Sequence, residues 1–135
     1  MDLDTTLPQW RHLQASAREA RTRAWAPYSR FYVGAAVLTG DGKIVVGCNV
    51  ENASYGLTIC AERVAISSAI AQGHSRFDAI CISLSECAVP CGACRQFLVE
   101  FNPDMLILLD DINRPDDQPP ETVLLKELLP RAFRL

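Results

Sequence analysis

Two short stretches of the chain hold the residue types best suited to chemistry: Cys60-Ala61-Glu62 and Pro90-Cys91-Gly92-Ala93-Cys94. The Cys-x-x-Cys spacing of Cys91 and Cys94 lets both sulfurs reach one ion, and Cys60 offers a third thiol. Zinc suits such ligands, since it needs no redox chemistry and is held tetrahedrally by thiolates. A structural zinc site closes with four protein ligands, whereas a catalytic one keeps three and leaves a position open. Glu62, two residues after Cys60, can turn its carboxylate toward that open position and act as an acid and base without being a ligand. Three thiolates leave the ion with a net negative charge, which a nearby cation would offset. Arg63 and Arg95 each directly follow one of these residues, and Arg63 is the arginine expected to hydrogen-bond the ligand sulfurs.

A second arrangement competes with this one. Cys87, in the run ECAVPCGAC, would supply a fourth sulfur and close the site into a structural zinc module without chemistry. A Cys-x-x-Cys pair alone does not separate the two, because structural zinc, iron–sulfur and redox sites all use it. The carboxylate of Glu62 beside three cysteines favours catalysis. The other cysteines, Cys48 and Cys81, fall in apolar runs and read as small buried hydrophobes. His12 and His74 lack ligand spacing to the cysteines and read as surface residues.

Placing three thiols together requires two helix starts. Residues 9–24, with apolar positions at Trp10, Leu13, Ala17, Ala20 and Ala24, predict a first helix with one apolar face, stopped by Pro27. The run FYVGAAVLTGDGKIVVGCNV predicts two strands joined around Gly40-Asp41-Gly42, a hairpin signal. NVENASYGL, residues 49–57, reads as a polar working loop. Thr58 is expected to cap a helix that ends at Gly73. FDAICISLS predicts a buried strand, Pro90 opens a helix closed by Asn102-Pro103, and MLILLD predicts another buried strand. After the polar loop DINRPDDQPP, ETVLLKELLP predicts a brief strand and a helical turn. The order α-β-β-α-β-α-β, with a short C-terminal addition, implies an α/β fold with one mixed sheet and helices packed on it. Cys60, Cys91 and Cys94 all then fall in the first turn of a helix, where unpaired N–H groups and the positive dipole end favour a thiolate.

Composition bounds what such a site can serve. At 135 residues the chain is expected to form one domain, residues 1–135. Its net charge is −3, it carries only two lysines, Lys43 and Lys126, and it shows no basic stripe. A nucleic-acid polymer is therefore not an expected partner. The apolar runs are too short to span a bilayer, and the acidic start MDLDTTLPQW lacks the apolar stretch of a signal peptide. A cytoplasmic location is expected, in which six cysteines read as metal ligands or core residues before disulfides.

The pair CAE and PCGAC matches the zinc nucleoside and nucleobase deaminase signature H-x-E…P-C-x-x-C, in which Cys can replace the His. With PYSRFYVGAAVL, GCNVENASYGLTICAERVAI, PCGACRQFLVEF and LLPRAF, the chain resembles the small homotetrameric cytidine deaminases from about Pro27 to Phe133. The resemblance implies a three-layer α/β/α fold around a mixed sheet of about five strands, and one Zn²⁺ per chain on Cys60, Cys91 and Cys94. It implies Glu62 as proton shuttle, and Asn49 and Glu51 as hydrogen-bond partners of the ribose, particularly its 3′-hydroxyl. Phe31 would pack on the pyrimidine, and the backbone of Ala61 and Cys91 would meet the base edge. Because the family's sites lie between subunits, Tyr55 and Phe133 would serve a neighbour's pocket; Phe133 stands close to Leu135, so the usual tail is short here. The reaction implied is hydrolytic deamination of cytidine and 2′-deoxycytidine, a step of pyrimidine salvage. A related enzyme acting on a cytosine-containing antibiotic of the blasticidin type would share the same zinc site.

Overall fold

The computed structural model describes residues 2–86 and 89–135. A five-stranded mixed sheet in the order β2-β1-β3-β4-β5 forms the middle layer. Its strands are β1 (Gly34–Thr39), β2 (Ile44–Cys48), β3 (Phe77–Leu84), β4 (Leu106–Asp111) and β5 (Glu121–Leu124). Within this sheet the pair β3–β4 is parallel, with Ile82 opposite Leu109 and Ser83 opposite Asp110; β1–β2, β1–β3 and β4–β5 are antiparallel.

Alternate residues of these strands face opposite layers, as the two-residue period of a strand requires. Ala36, Leu38, Ala79, Cys81, Leu106 and Leu108 pack beneath α1 (Leu3–Thr6) and α2 (Trp10–Arg21). Ala35, Val37, Ile80, Ile82, Ile107 and Leu109 pack with α3 (Ala61–Ala71), α4 (Gly92–Val99) and α5 (Leu125–Leu128) on the other face. The expected α/β/α sandwich and its five strands are both present. Two glycines allow the helices to lie directly on the sheet. A Cβ on Gly34 would sit 2.0 Å from the Ala17 carbonyl oxygen of α2, and one on Gly47 would sit 2.4 Å from the Ala65 nitrogen of α3.

Four boundaries differ from the sequence expectations. The acidic start forms the short helix α1, capped by the Asp2 side chain accepting from Asp4 N at 3.1 Å, and Leu3 is buried. Helix α2 ends at Arg21 rather than residue 24, because Trp25 is drawn into backbone pairing: its N–H donates to Asn49 O and its carbonyl accepts from Glu51 N. Strand β1 starts at Gly34 rather than Phe31, after Arg30 adopts a left-handed φ of 58°. The residue at the N-cap of α3 is Cys60, not Thr58. Val50 and Ile59 exchange both backbone hydrogen bonds and hold the chain extended up to that point, while the Thr58 hydroxyl accepts from Asn52 N. Among the described residues no helix is long and apolar enough to cross a membrane.

Candidate active site

Cys60 and Cys91 are the N-cap residues of α3 and α4, and Cys94 sits one turn into α4. Two helix starts therefore aim at one point near the C-terminal end of β3. The three sulfurs lie within 4.8 Å of one another. A tetrahedral zinc about 2.3 Å from each sulfur needs sulfur–sulfur separations of about 3.8 Å, so small side-chain rotations suffice. The Cys94 N–H points at the Cys91 sulfur from 3.5 Å, and Arg63 Nη2 points at the Cys60 sulfur from 3.6 Å.

The electrostatics of this cluster favour a cation among the sulfurs. The hydrogen bond from Cys94, with Arg63 beside it, lowers the Cys60 thiol to about 5. Cys94 is pushed the other way by that same bond and by burial, so that two neighbouring thiolates are disfavoured unless a positive charge joins them. Arg63 Nε is buried and without a hydrogen-bond partner among the described residues, while Nη2 brings the positive charge of the guanidinium to the Cys60 sulfur. The donor set and its spacing fit zinc. Cys87, the fourth sulfur of the closed alternative, lies outside the described residues.

Glu62 is 4% exposed and lines a cleft of about 250 Å³ together with Cys60, Cys91, Phe31, Asn49, Glu51 and Ala61. Burial raises its carboxyl above the usual range, and the neighbouring Cys60 thiolate adds to the shift. A carboxyl whose neutral form is made accessible in this way can both take and return a proton. The rest of the wall is Val33, Thr58, Ile82, Leu84, Val89 and Pro90, a mostly apolar surface suited to a flat ring.

Seven of the eleven residues singled out in the sequence thus meet in one cleft, if Cys91 and Ala61 are counted with their backbones. Cys94 and Arg63 stand behind the cleft, against the Cys60 sulfur. Tyr55 and Phe133 lie outside it, 80% and 70% exposed. Gln96 brackets the backbone of Phe133, donating to its carbonyl at 3.0 Å and accepting from its N–H at 3.3 Å. Arg95, the other arginine of the site segments, turns away from the sulfurs. It donates to Pro90 O at 2.7 Å and Leu128 O at 2.9 Å, tying the start of α4 to α5. Cys81 is buried as expected, while Cys48 is only half-buried, its thiol toward Arg23 O at 3.7 Å.

Sequence reasoning passed over the supports of this cleft. Asn49 spends its amide on the chain that carries Phe31, accepting from Val33 N at 2.9 Å and donating to Phe31 O at 2.7 Å. Glu51 accepts from Tyr28 N at 2.9 Å, from Ser29 N at 3.1 Å and from the Ser29 hydroxyl. The apolar wall from Ile82 and Leu84 was legible as the end of a buried strand, since ligands of α/β sheets gather beyond the carboxyl ends of strands.

Comparison with known proteins agrees with this geometry. Residues 9–109 match the family described as the cytidine and deoxycytidylate deaminase zinc-binding region. A cytidine deaminase of Mycobacterium tuberculosis is 42% identical over 128 residues, covering 93% of this chain and 90% of that protein. One from Halalkalibacterium halodurans is 43% identical, covering 87% of this chain and 88% of the relative. Among solved structures, cytidine deaminase from Burkholderia pseudomallei superposes with a TM-score of 0.83 at 44% identity, over 90% of this chain and 97% of that one. Because the matched span contains both helix starts and all three clustered sulfurs, the chain belongs to the cytidine and deoxycytidylate deaminase family.

Proposed function

We propose that this cleft hydrolyses the exocyclic C–N bond of cytidine and 2′-deoxycytidine, giving uridine or 2′-deoxyuridine and ammonia. The observation that carries the reading is a buried carboxyl, Glu62, facing a ring-sized apolar cleft beside three clustered sulfurs. Cys60, Cys91 and Cys94 hold one Zn²⁺ per chain, and Arg63 offsets the negative charge of their thiolates. Zinc so held supplies Lewis acidity that makes water a usable nucleophile near neutral pH.

Glu62 then manages the protons. Its carboxylate takes one from the attacking water as the oxygen bonds to C4, and hands it to N3 of the ring. The second water proton passes by the same carboxylate to the exocyclic nitrogen, the C4–N bond breaks, and ammonia leaves a uracil carbonyl at C4. The backbone of Ala61 and Cys91 meets the base edge, Phe31 packs on the pyrimidine, and Asn49 and Glu51 set the ribose. The cleft lining of this chain carries two acidic residues, Glu51 and Glu62, and neither Lys nor Arg among the described residues. A free nucleoside suits it better than a nucleotide phosphate or a polynucleotide.

The whole of residues 1–135 serves as one deaminase domain, working in the cytoplasm on a soluble substrate. It assembles as a homotetramer, which accounts for exposed apolar side chains at Trp25, Tyr28, Tyr55, Leu57 and Phe133. Tyr55 and Phe133 reach a neighbour's cleft in that assembly.

Adding cytidine to zinc-loaded protein, and following ammonia and the loss of cytidine absorbance, tests the reading. Stoichiometric uridine is expected, and Glu62→Ala is expected to keep its zinc while turnover falls by at least about 10²–10⁴-fold. Inertness toward cytidine with turnover of blasticidin S would move the substrate to the antibiotic. Inertness toward both, with four sulfurs on the zinc, would leave a structural module.

A further inference from the structure

The hydroxyl of Ser29 touches two of the groups assigned above to the substrate. It donates to Glu51 Oε2 and accepts from Phe31 N–H at 3.0 Å. A hydroxyl has one proton to give and two lone pairs, so both bonds can exist at once. The bond to Glu51 is charge-assisted and therefore among the stronger kinds.

The carboxylate has little capacity left over. Oε1 accepts from both Tyr28 N and Ser29 N, which uses its two lone pairs. Among the described residues, Oε2 accepts from the Ser29 hydroxyl alone and keeps one acceptor position for something else. Glu51 lines the cleft, so the remaining position is available there to a donor on a bound molecule. Without the Ser29 hydroxyl, Oε2 would lose the contact that holds the carboxylate plane. Arg30, in its left-handed conformation, turns the chain so that Phe31 follows within reach of the same hydroxyl.

We infer that Ser29 is a positioning residue for the sugar: its hydroxyl orients Glu51 so that Oε2 accepts the ribose 3′-hydroxyl. This rests on the reading of Glu51 as a ribose contact. Ser29 acts through Glu51 and leaves the proton transfers at Glu62 untouched, so its effect falls on KM for substrates that carry the 3′-hydroxyl.

The test compares cytidine with 3′-deoxycytidine, which differ only in that group. Ser29→Ala is expected to raise KM for cytidine about tenfold, the loss of one hydrogen bond to a charged group, with kcat within about twofold. KM for 3′-deoxycytidine should stay at the wild-type value. Ser29→Thr, which keeps the hydroxyl, should restore wild-type KM, and Ser29→Val, of the same shape, should behave like Ser29→Ala. A KM rise of equal size on both nucleosides, or no rise with either, overturns the inference. Glu51→Gln is the control for the underlying reading. If it discriminates between the nucleosides while Ser29→Ala does not, the inference alone fails; if Glu51→Gln treats both alike, the ribose reading of Glu51 fails and takes the inference with it.

Discussion

Gly47 and Ala65 lie so close that a Cβ on the glycine would stand 2.4 Å from the Ala65 nitrogen and 2.7 Å from the Ala61 carbonyl oxygen. Helix α3 therefore rests with its backbone directly on β2, and its first turn, which carries Cys60 and Glu62, is placed by that contact. Both obstructing groups are backbone, so neither can swing aside as a flexible side chain would. Gly47→Ala is expected to destabilise the fold by about 1–3 kcal/mol, the usual cost of overpacking, and to lower bound zinc as the Cys60 sulfur shifts. Denaturant unfolding and metal content measure the two effects. Wild-type values for both would show that α3 is not positioned by Gly47.

Asp110 belongs to the opposite face of the sheet. It is 1% exposed and accepts from Arg18 Nε at 2.7 Å, Arg18 Nη2 at 2.8 Å, Gln14 Nε2 at 3.0 Å and the Ser83 hydroxyl at 2.6 Å. Removing the carboxylate leaves several polar groups without their acceptor. Asp110→Ala should cost about 3–5 kcal/mol, as breaking a buried ion pair does, with KM for cytidine unchanged in the protein that remains folded. A change in KM without loss of stability would tie this network to the cleft instead.

The contrast between Gly47 and Asp110 marks what the sequence carries. Strands β1 to β4 were legible as short apolar runs such as GAAVL, ICISL and LILL, helix α2 by its one-sided apolar period, and α3 and α4 by the Gly and Pro residues around them. The grouping of the three cysteines was legible because metal ligation needs particular residue types at particular spacings, and Glu62 drew notice as a carboxylate two residues after one of them. Helix α1 was missed since four residues carry too little period to register. The end of α2 and the cap of α3 were misplaced because the Trp25–Val50–Ile59 backbone pairing is long-range and leaves no local signal. Nor could the sequence reveal that Asn49 and Glu51 hold Phe31 and Ser29 in place, since that needs loops distant in the chain to be adjacent.

Glu51 also predicts a pH dependence. The Ser29 hydroxyl first, and then the amides of Ser29 and Tyr28, hold its carboxyl below the usual carboxylate range. A depressed folded value means that the unfolded chain binds the proton more readily. The stabilisation is therefore complete above the ordinary carboxylate value and is lost as pH falls through the lower, folded one. The melting temperature of the wild type should exceed that of Glu51→Gln at neutral pH, and the gap should close on acidification. Both proteins lose zinc at low pH, so the comparison between them isolates Glu51. A gap that stays constant with pH would mean that charge on Glu51 contributes nothing to the fold.

Arg63 and the zinc can be separated by competition with a chelator. Its guanidinium reaches the Cys60 sulfur, and that proximity helps keep Cys60 a thiolate and Arg63 protonated. Replacing Arg63 with Ala removes the positive charge beside three thiolates without removing a ligand. Zinc affinity should fall by about 10–100-fold, the usual effect of losing a group that supports a metal ligand, with one zinc per chain still bound at saturation. Stripping zinc from the wild type should lower the melting temperature as well as activity, because the starts of α3 and α4 meet at the cluster that the ion would hold together. Those two results together would place Arg63 as a support of the ligands. Unchanged zinc affinity in the variant, with melting unaffected by chelation, would mean that the cysteines hold no ion of structural consequence and that Arg63 does not support them as ligands.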